Sequence, residues 1–144
     1  MATDRKAEVT WNGSLMDGRG RITSTTTGKI GAQDVSWAAR SGDNAELTSP
    51  EELIAAAHAA CFSMALSHGL TQAGHPPERL ATSAQVGFQG GEGITGIQLA
   101  VRGRVPGLDQ EGFRQAAEAA KANCPVSKAL SAVEIRLADA TLEG

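Results

Sequence analysis

The stretch Leu53–Leu66 limits the possible folds more than any other part of this chain. Of its 14 residues, 12 are apolar, and only His58 and Ser63 interrupt the run. A helix with no polar face must be covered on every side. Its start is well marked: Ser49 is a good N-cap, Pro50 suits the first helical position, and Glu52 stands where a capping box with Ser49 needs it. Gly74 ends it, with Pro76 and Pro77 preventing a restart, so the predicted helix runs from Pro50 to about Ala73. A chain of 144 residues forms a single domain, 1–144, with a core of its own. One sheet on one side does not cover such a helix. Either the rest of the domain wraps it, or a second copy covers the far side. The second solution is the expectation, hence a homodimer.

Around this helix the pattern is that of short strands. Ala7, Val9 and Trp11 alternate as in a half-buried strand, Asp17–Gly20 supplies a turn, and Ile22–Thr27 reads as the return strand. A third short strand is predicted over Gln33–Ala38 and a polar loop over Ser41–Asn44. Ala84, Val86 and Phe88, a turn at Gly90–Gly93, then Ile97, Leu99 and Val101 make a β-hairpin. Asp109 caps a second helix with Phe113, Ala116, Ala117 and Ala120 on its apolar face, and Pro125 opens a short third one. Val133, Ile135 and Leu137 form a last strand. This order gives an α+β fold with largely antiparallel sheet.

Composition excludes several functions. A net charge of −3, with no basic cluster, excludes a nucleic-acid binder. Met1–Trp11 holds no apolar run of signal-peptide length, and Leu53–Leu66 is too short to span a bilayer, so a soluble cytoplasmic protein is expected. His58, His68 and His75 form no i, i+4 pair and have no Cys-x-x-Cys company, so no metal is expected. No phosphate loop or dinucleotide fingerprint follows a predicted strand, so no bound organic cofactor is expected either. His58, one turn from Cys61, reads as a base or as a hydrogen-bonded core or interface histidine.

Two cysteines remain. Cys61 lies inside the Ala-rich helix, where an unpaired cysteine is ordinarily a small buried hydrophobe. Cys124 precedes Pro125 and occupies an N-cap, where free N–H groups and the helix dipole favour a thiolate. Local electrostatics alone therefore favour Cys124. At unrelated spacing in an unexported chain, both are thiols kept reduced, with any disulfide transient.

Read together, two segments are far more specific. Ser49-Pro50-Glu51-Glu52-Leu53-Ile54-Ala55-Ala56-Ala57-His58-Ala59-Ala60-Cys61-Phe62-Ser63-Met64-Ala65-Leu66 resembles the signature of the OsmC/Ohr family, and Ala122-Asn123-Cys124-Pro125-Val126-Ser127 resembles its second cysteine motif. The His-Ala-Ala-Cys-Phe-Ser-Met wording is similar to the OsmC branch, and the element order extends the resemblance over nearly the whole chain. The resemblance implies an intertwined homodimer and a thiol-dependent peroxidase acting on organic hydroperoxides. Cys61 would be the peroxidatic cysteine and Cys124 the resolving one. A dithiol reductant, lipoyl or thioredoxin-type, would recycle the pair. It also implies an arginine–glutamate pair: Glu51 follows the helix-opening proline, and Arg40 matches the OsmC branch best. Arg19 and Arg21 are the alternatives that the Ohr branch would place in the first hairpin.

Glu51 and Cys61 lie ten residues apart on one predicted helix, roughly 15 Å along its axis and roughly 80° apart in direction. Glu51 therefore cannot steady an arginine against the Cys61 of its own helix, and a site using both needs Glu51 from a partner chain. Two rival functions use the same residues: a non-catalytic ligand-binding dimer with incidental cysteines, and a redox sensor signalling through the disulfide.

Overall fold

The computed structural model describes residues 2–42 and 46–143. The chain divides into two compact units, 1–53 and 54–144.

In the first unit, β1 (Ala7–Asn12), β2 (Arg19–Thr25) and β3 (Gln33–Val35) form an antiparallel sheet in the order β1-β2-β3. The turn comes earlier than the expected Asp17–Gly20: the Gly18 N–H closes it onto the Ser14 carbonyl at 2.8 Å, and β2 already holds Arg19 and Gly20 and ends at Thr25, not Thr27. Gly20 is needed where it stands, because a Cβ there would come within 2.6 Å of the Trp11 ring. Two further expectations fail here. β1 is exposed along its whole length, with Val9 59% and Trp11 39% exposed, so it is not half-buried in the single chain. β3 stops at Val35, and Trp37–Ser41 forms a short helix, α1, instead of continuing the strand. Ser36 causes the switch: its hydroxyl accepts the Ala39 N–H at 3.1 Å and caps the helix. Ser41 thus belongs to α1, while positions 43 and 44 of the expected loop lie outside the described residues.

Helix α2 runs Pro50–Gln72, and the left-handed Gly74 (φ 88°) follows it. The Ser49 hydroxyl accepts the Glu52 N–H at 3.1 Å, while the Glu52 carboxylate accepts a 2.7 Å bond from the Thr48 hydroxyl. At 23 residues, with a mean hydropathy of 1.4 in its most apolar window, α2 is long and apolar enough to cross a membrane by length and composition. The limit placed on the shorter run Leu53–Leu66 does not hold for the helix. One stripe of it nevertheless faces protein: His58, Phe62, Leu66 and Leu70 are buried.

That stripe belongs to the second unit, whose sheet has the order β4-β5-β6: Arg79–Gln89, Gly93–Arg104 and Ile135–Leu142. β4 and β5 form the expected antiparallel hairpin, longer than the alternating residues alone indicate. β6 pairs parallel to β5, so antiparallel pairing is the majority rather than the rule. A parallel neighbour requires a crossover, which α3 (Gln110–Asn123) and α4 (Pro125–Ala129) supply. β6 begins at Ile135, which leaves Val133 outside it. The core joins Phe62, Leu66 and Leu70 to Ile97, Leu99 and Val101 of β5 and to Phe113, Ala117 and Ala120 of α3. Gly103 of β5 leaves room for the Phe113 ring, whose Cζ would lie 2.6 Å from an added Cβ.

Candidate functional site

Cys124 owes its place to the residue after it. Proline disfavours helical geometry in the residue before it, and Cys124 is extended (φ −58°, ψ 125°) at the joint between α3 and α4. Its N–H still closes α3 onto the Ala120 carbonyl at 2.9 Å, and its carbonyl accepts the Lys128 N–H at 3.1 Å. The side chain, fully buried, points to α2, where its sulfur lies 2.9 Å from that of Cys61. Both cysteines are free thiols, and Cys61 is only partly buried. A disulfide bond is about 2.05 Å long, so closing it requires a shift of roughly an ångström between the sulfurs.

The two thiols are electrostatically unequal. Burial opposes ionisation of Cys124, but hydrogen bonds from the Cys61 thiol, from the N–H and hydroxyl of Ser127 and from the Val126 N–H outweigh it and bring Cys124 below the usual thiol range. Cys61 moves the other way. Burial and its bond to Cys124 push it up, and the Val126 N–H offsets only part of that. Within its own unit, Cys124 is the readier thiolate and Cys61 the more reachable sulfur.

His58 makes its hydrogen bond to Ser127 and none to Cys61. It is fully buried, and its Nε2 lies 2.7 Å from the Ser127 Oγ. Ser127 went unrecognised as a candidate in the sequence. The signal was present, because the third helical position after a cap residue is where a polar side chain can reach back to the cap. Among the described residues no three His, Cys, Asp or Glu side chains gather as a metal site would need.

In the first unit, Arg40 and Glu51 form an ion pair. Arg40 Nε reaches both Glu51 oxygens at 3.1 and 3.3 Å, and Nη2 reaches Oε2 at 3.0 Å. The Glu51 side chain is 7% exposed and that of Arg40 34%. Arg21 is engaged elsewhere, with Asp34 at 2.7 Å. Arg19 lines a shallow surface groove with Thr10, Asn12 and Thr23.

The arrangement defines a class first: an α+β domain with a reduced dithiol at a helix joint and, on its other unit, a buried carboxylate clasped by arginine. The OsmC-like protein family profile matches residues 42–138, and the chain belongs to that family. It is 41% identical to Peroxiredoxin OsmC of Escherichia coli (strain K12) over 135 residues, 92% of this chain and 93% of the relative. Among solved structures, the organic hydroperoxide resistance protein OhrB of Bacillus subtilis matches with a TM-score of 0.67 at 30% identity, covering 96% of this chain and 98% of that one. An organic hydroperoxide resistance protein of Elizabethkingia anophelis shares the fold, with a TM-score of 0.65 at 24% identity over 100% and 99% of the two chains.

Proposed function

We propose that this chain is a thiol-dependent peroxidase that reduces organic hydroperoxides to alcohols through Cys61 and Cys124. The observation that carries this is the 2.9 Å approach of a partly exposed thiol to a fully buried one. Oxidation follows both access and thiolate character. Access selects Cys61 as the sulfur a peroxide meets. Its thiolate attacks the distal peroxide oxygen, the O–O bond breaks, and the alkoxide leaves as the alcohol after taking a proton, which leaves Cys61 as a sulfenic acid. Cys124 then displaces the sulfenic oxygen as water and forms the disulfide, and a dithiol of lipoyl or thioredoxin type reduces it. The names of the Escherichia coli and Bacillus subtilis relatives support peroxide reduction and, for the second, organic hydroperoxides.

Thiolate character selects Cys124 instead, because the surroundings of Cys61 hold its proton on. A reactive Cys61 therefore needs positive charge from outside its own unit. The Arg40–Glu51 pair of a second copy would supply it, since an arginine fork both favours a thiolate and donates to a peroxide. The free surface of α2 supports such a partner: Ala56, Ala57 and Ala60 are exposed on it, and Met64 is 72% exposed. Helices meeting through alanines can approach closely, and covering this face and β1 together would bury well over about 2,000 Å². Each site would then combine Cys61 and Cys124 of one chain with Arg40 and Glu51 of the other.

Steady-state assays with cumene, tert-butyl and hydrogen peroxides, and lipoyl and thioredoxin-type reductants in parallel, test the activity. Dithiol-driven turnover faster with the organic peroxides and abolished in Cys61→Ser is expected. Peroxide consumption that survives Cys61→Ser would refute the assignment.

A further inference from the structure

His58 is the one fully buried histidine among the described residues, and the reaction above makes no use of it. Its Nδ1 has no partner, and its Nε2 meets Ser127, which is 6% exposed and lies 69 residues further along the chain. Polar groups covered this completely cost free energy that apolar side chains of similar size would not. Ser127 also stands three residues after Cys124, in the first turn of the helix that Cys124 caps, and its hydroxyl is among the groups that lower the Cys124 thiol.

The proton between His58 and Ser127 has two possible owners. If Ser127 donates to Nε2, the ring proton sits on Nδ1, and a buried N–H is left with no acceptor. If Nε2–H donates to the Ser127 oxygen, only a lone pair is left over at Nδ1. Orphaned buried N–H groups are the rarer case. Burial holds His58 below the usual histidine range, so the ring stays neutral with one proton to place. With Nε2–H as the donor, the Ser127 hydroxyl is free to donate in turn, and the Cys124 sulfur lies at the cap of the same short helix.

We propose that His58 and Ser127 are positioning residues for Cys124: His58 Nε2–H orients the Ser127 hydroxyl, which donates to the Cys124 sulfur and stabilises the thiolate that closes the disulfide. The proposal rests on the two-cysteine reaction above. In the closing step the Cys124 thiolate attacks the sulfenic sulfur of Cys61, the S–S bond forms and the S–O bond breaks. The oxygen leaves as hydroxide and becomes water with the proton that Cys124 gave up. Ser127 keeps its own proton throughout. Among the described residues, the titratable groups facing Cys124 are Cys61 and, through Ser127, His58, both on α2. Its remaining donors are the N–H groups of Val126 and Ser127.

Losing a hydrogen bond to a charged sulfur should raise the pH midpoint of disulfide closure by about one to two units. Because nucleophilicity rises with pKa at about half the slope, closure at neutral pH should slow only about three- to tenfold, and above both midpoints the variant should match or overtake the parent. A general packing defect has no such crossover. The test is rapid-quench mass spectrometry with tert-butyl hydroperoxide from pH 5.5 to 9, timing sulfenic acid formation on Cys61 separately from disulfide closure. Ser127→Ala, which removes one atom, and His58→Leu should shift the closure midpoint upward and leave sulfenic acid formation unchanged. His58→Gln, which keeps a donor, should restore the parent profile. An unmoved midpoint in Ser127→Ala, or His58→Gln as slow as His58→Leu, overturns the proposal and leaves the peroxidase intact. If the parent protein forms no Cys61–Cys124 disulfide, the peroxidase reading falls and this proposal falls with it.

Discussion

Replacing Arg40 by methionine would strand the Glu51 carboxylate. That side chain is 7% exposed and receives three contacts of 3.0–3.3 Å from the Arg40 guanidinium. Removing one partner of a fully buried ion pair costs about 3–5 kcal/mol, whereas an exposed pair is worth about 0.2–1 kcal/mol. The guanidinium is a third open to solvent and the carboxylate is not, so the loss should lie between those limits, about 2 kcal/mol. In urea that is a midpoint shift of about 1 M. The sharper expectation concerns Arg40→Met/Glu51→Gln. With the stranded charge gone, the double variant should recover about 1 kcal/mol over the single one. Arg40 makes further contacts, but both variants lose them, so they cancel in the comparison. The measurement is a double-mutant cycle by urea denaturation at fixed protein concentration, because association changes apparent stability. A coupling energy below about 0.3 kcal/mol, as for independent sites, would refute the claim that the pair acts as one unit.

Two further expectations follow from the same geometry. Mixing Glu51→Ala subunits with Cys61→Ser subunits should restore about one working site per heterodimer, read as peroxide turnover. No recovery, or a fully active monomer by light scattering, contradicts a shared site. His58 should also leave a mark on the pH dependence of stability. Its folded pKa lies below its ordinary value of 6.5, so the unfolded chain binds the proton more readily. Stability present above about pH 6.5 should therefore be lost as pH falls toward the folded value. The urea midpoint of the parent should fall more steeply between pH 7.5 and 5 than that of His58→Gln, and equal slopes would show that His58 is not buried in its neutral form.

The elements that could be read from the sequence are those fixed by a few neighbouring residues. Ser49-Pro50 starts α2, Asp109 caps α3 through the Gly112 N–H at 2.7 Å, and Cys124-Pro125 breaks α3 from α4, all where the local chemistry requires. α1 was legible in principle, since Ser36 precedes helix-forming residues, but the apolar pair Trp37-Ala38 also continues the β3 pattern. The exposure of β1 was not legible, because alternation shows that one face of a strand is apolar and not what lies against it. Parallel pairing of β6 with β5 is equally silent in the alternation of Ile135 and Leu137, which would be the same in either direction.

At the site, motif wording marked Cys61, Cys124, Arg40 and Glu51, and the structure joins them as two pairs, one in each unit. The contact between His58 and Ser127 spans 69 residues and has no local signature. The acidity of Cys124 was legible from its N-cap position, since Val126 and Ser127 just after it are among the groups that lower it. The rise of Cys61 was not legible, because its burial and its contact with Cys124 come from a residue 63 positions away.

The most direct test of the two-cysteine mechanism is to locate the first oxidised sulfur. Treating the reduced protein with about one equivalent of an alkyl hydroperoxide and mapping peptides by mass spectrometry should give a Cys61–Cys124 disulfide, and in Cys124→Ser a dimedone-trapped sulfenic acid on Cys61. A sulfenic acid on Cys124 in Cys61→Ser, with peroxide still consumed, would contradict the mechanism and exchange the roles of the two thiols.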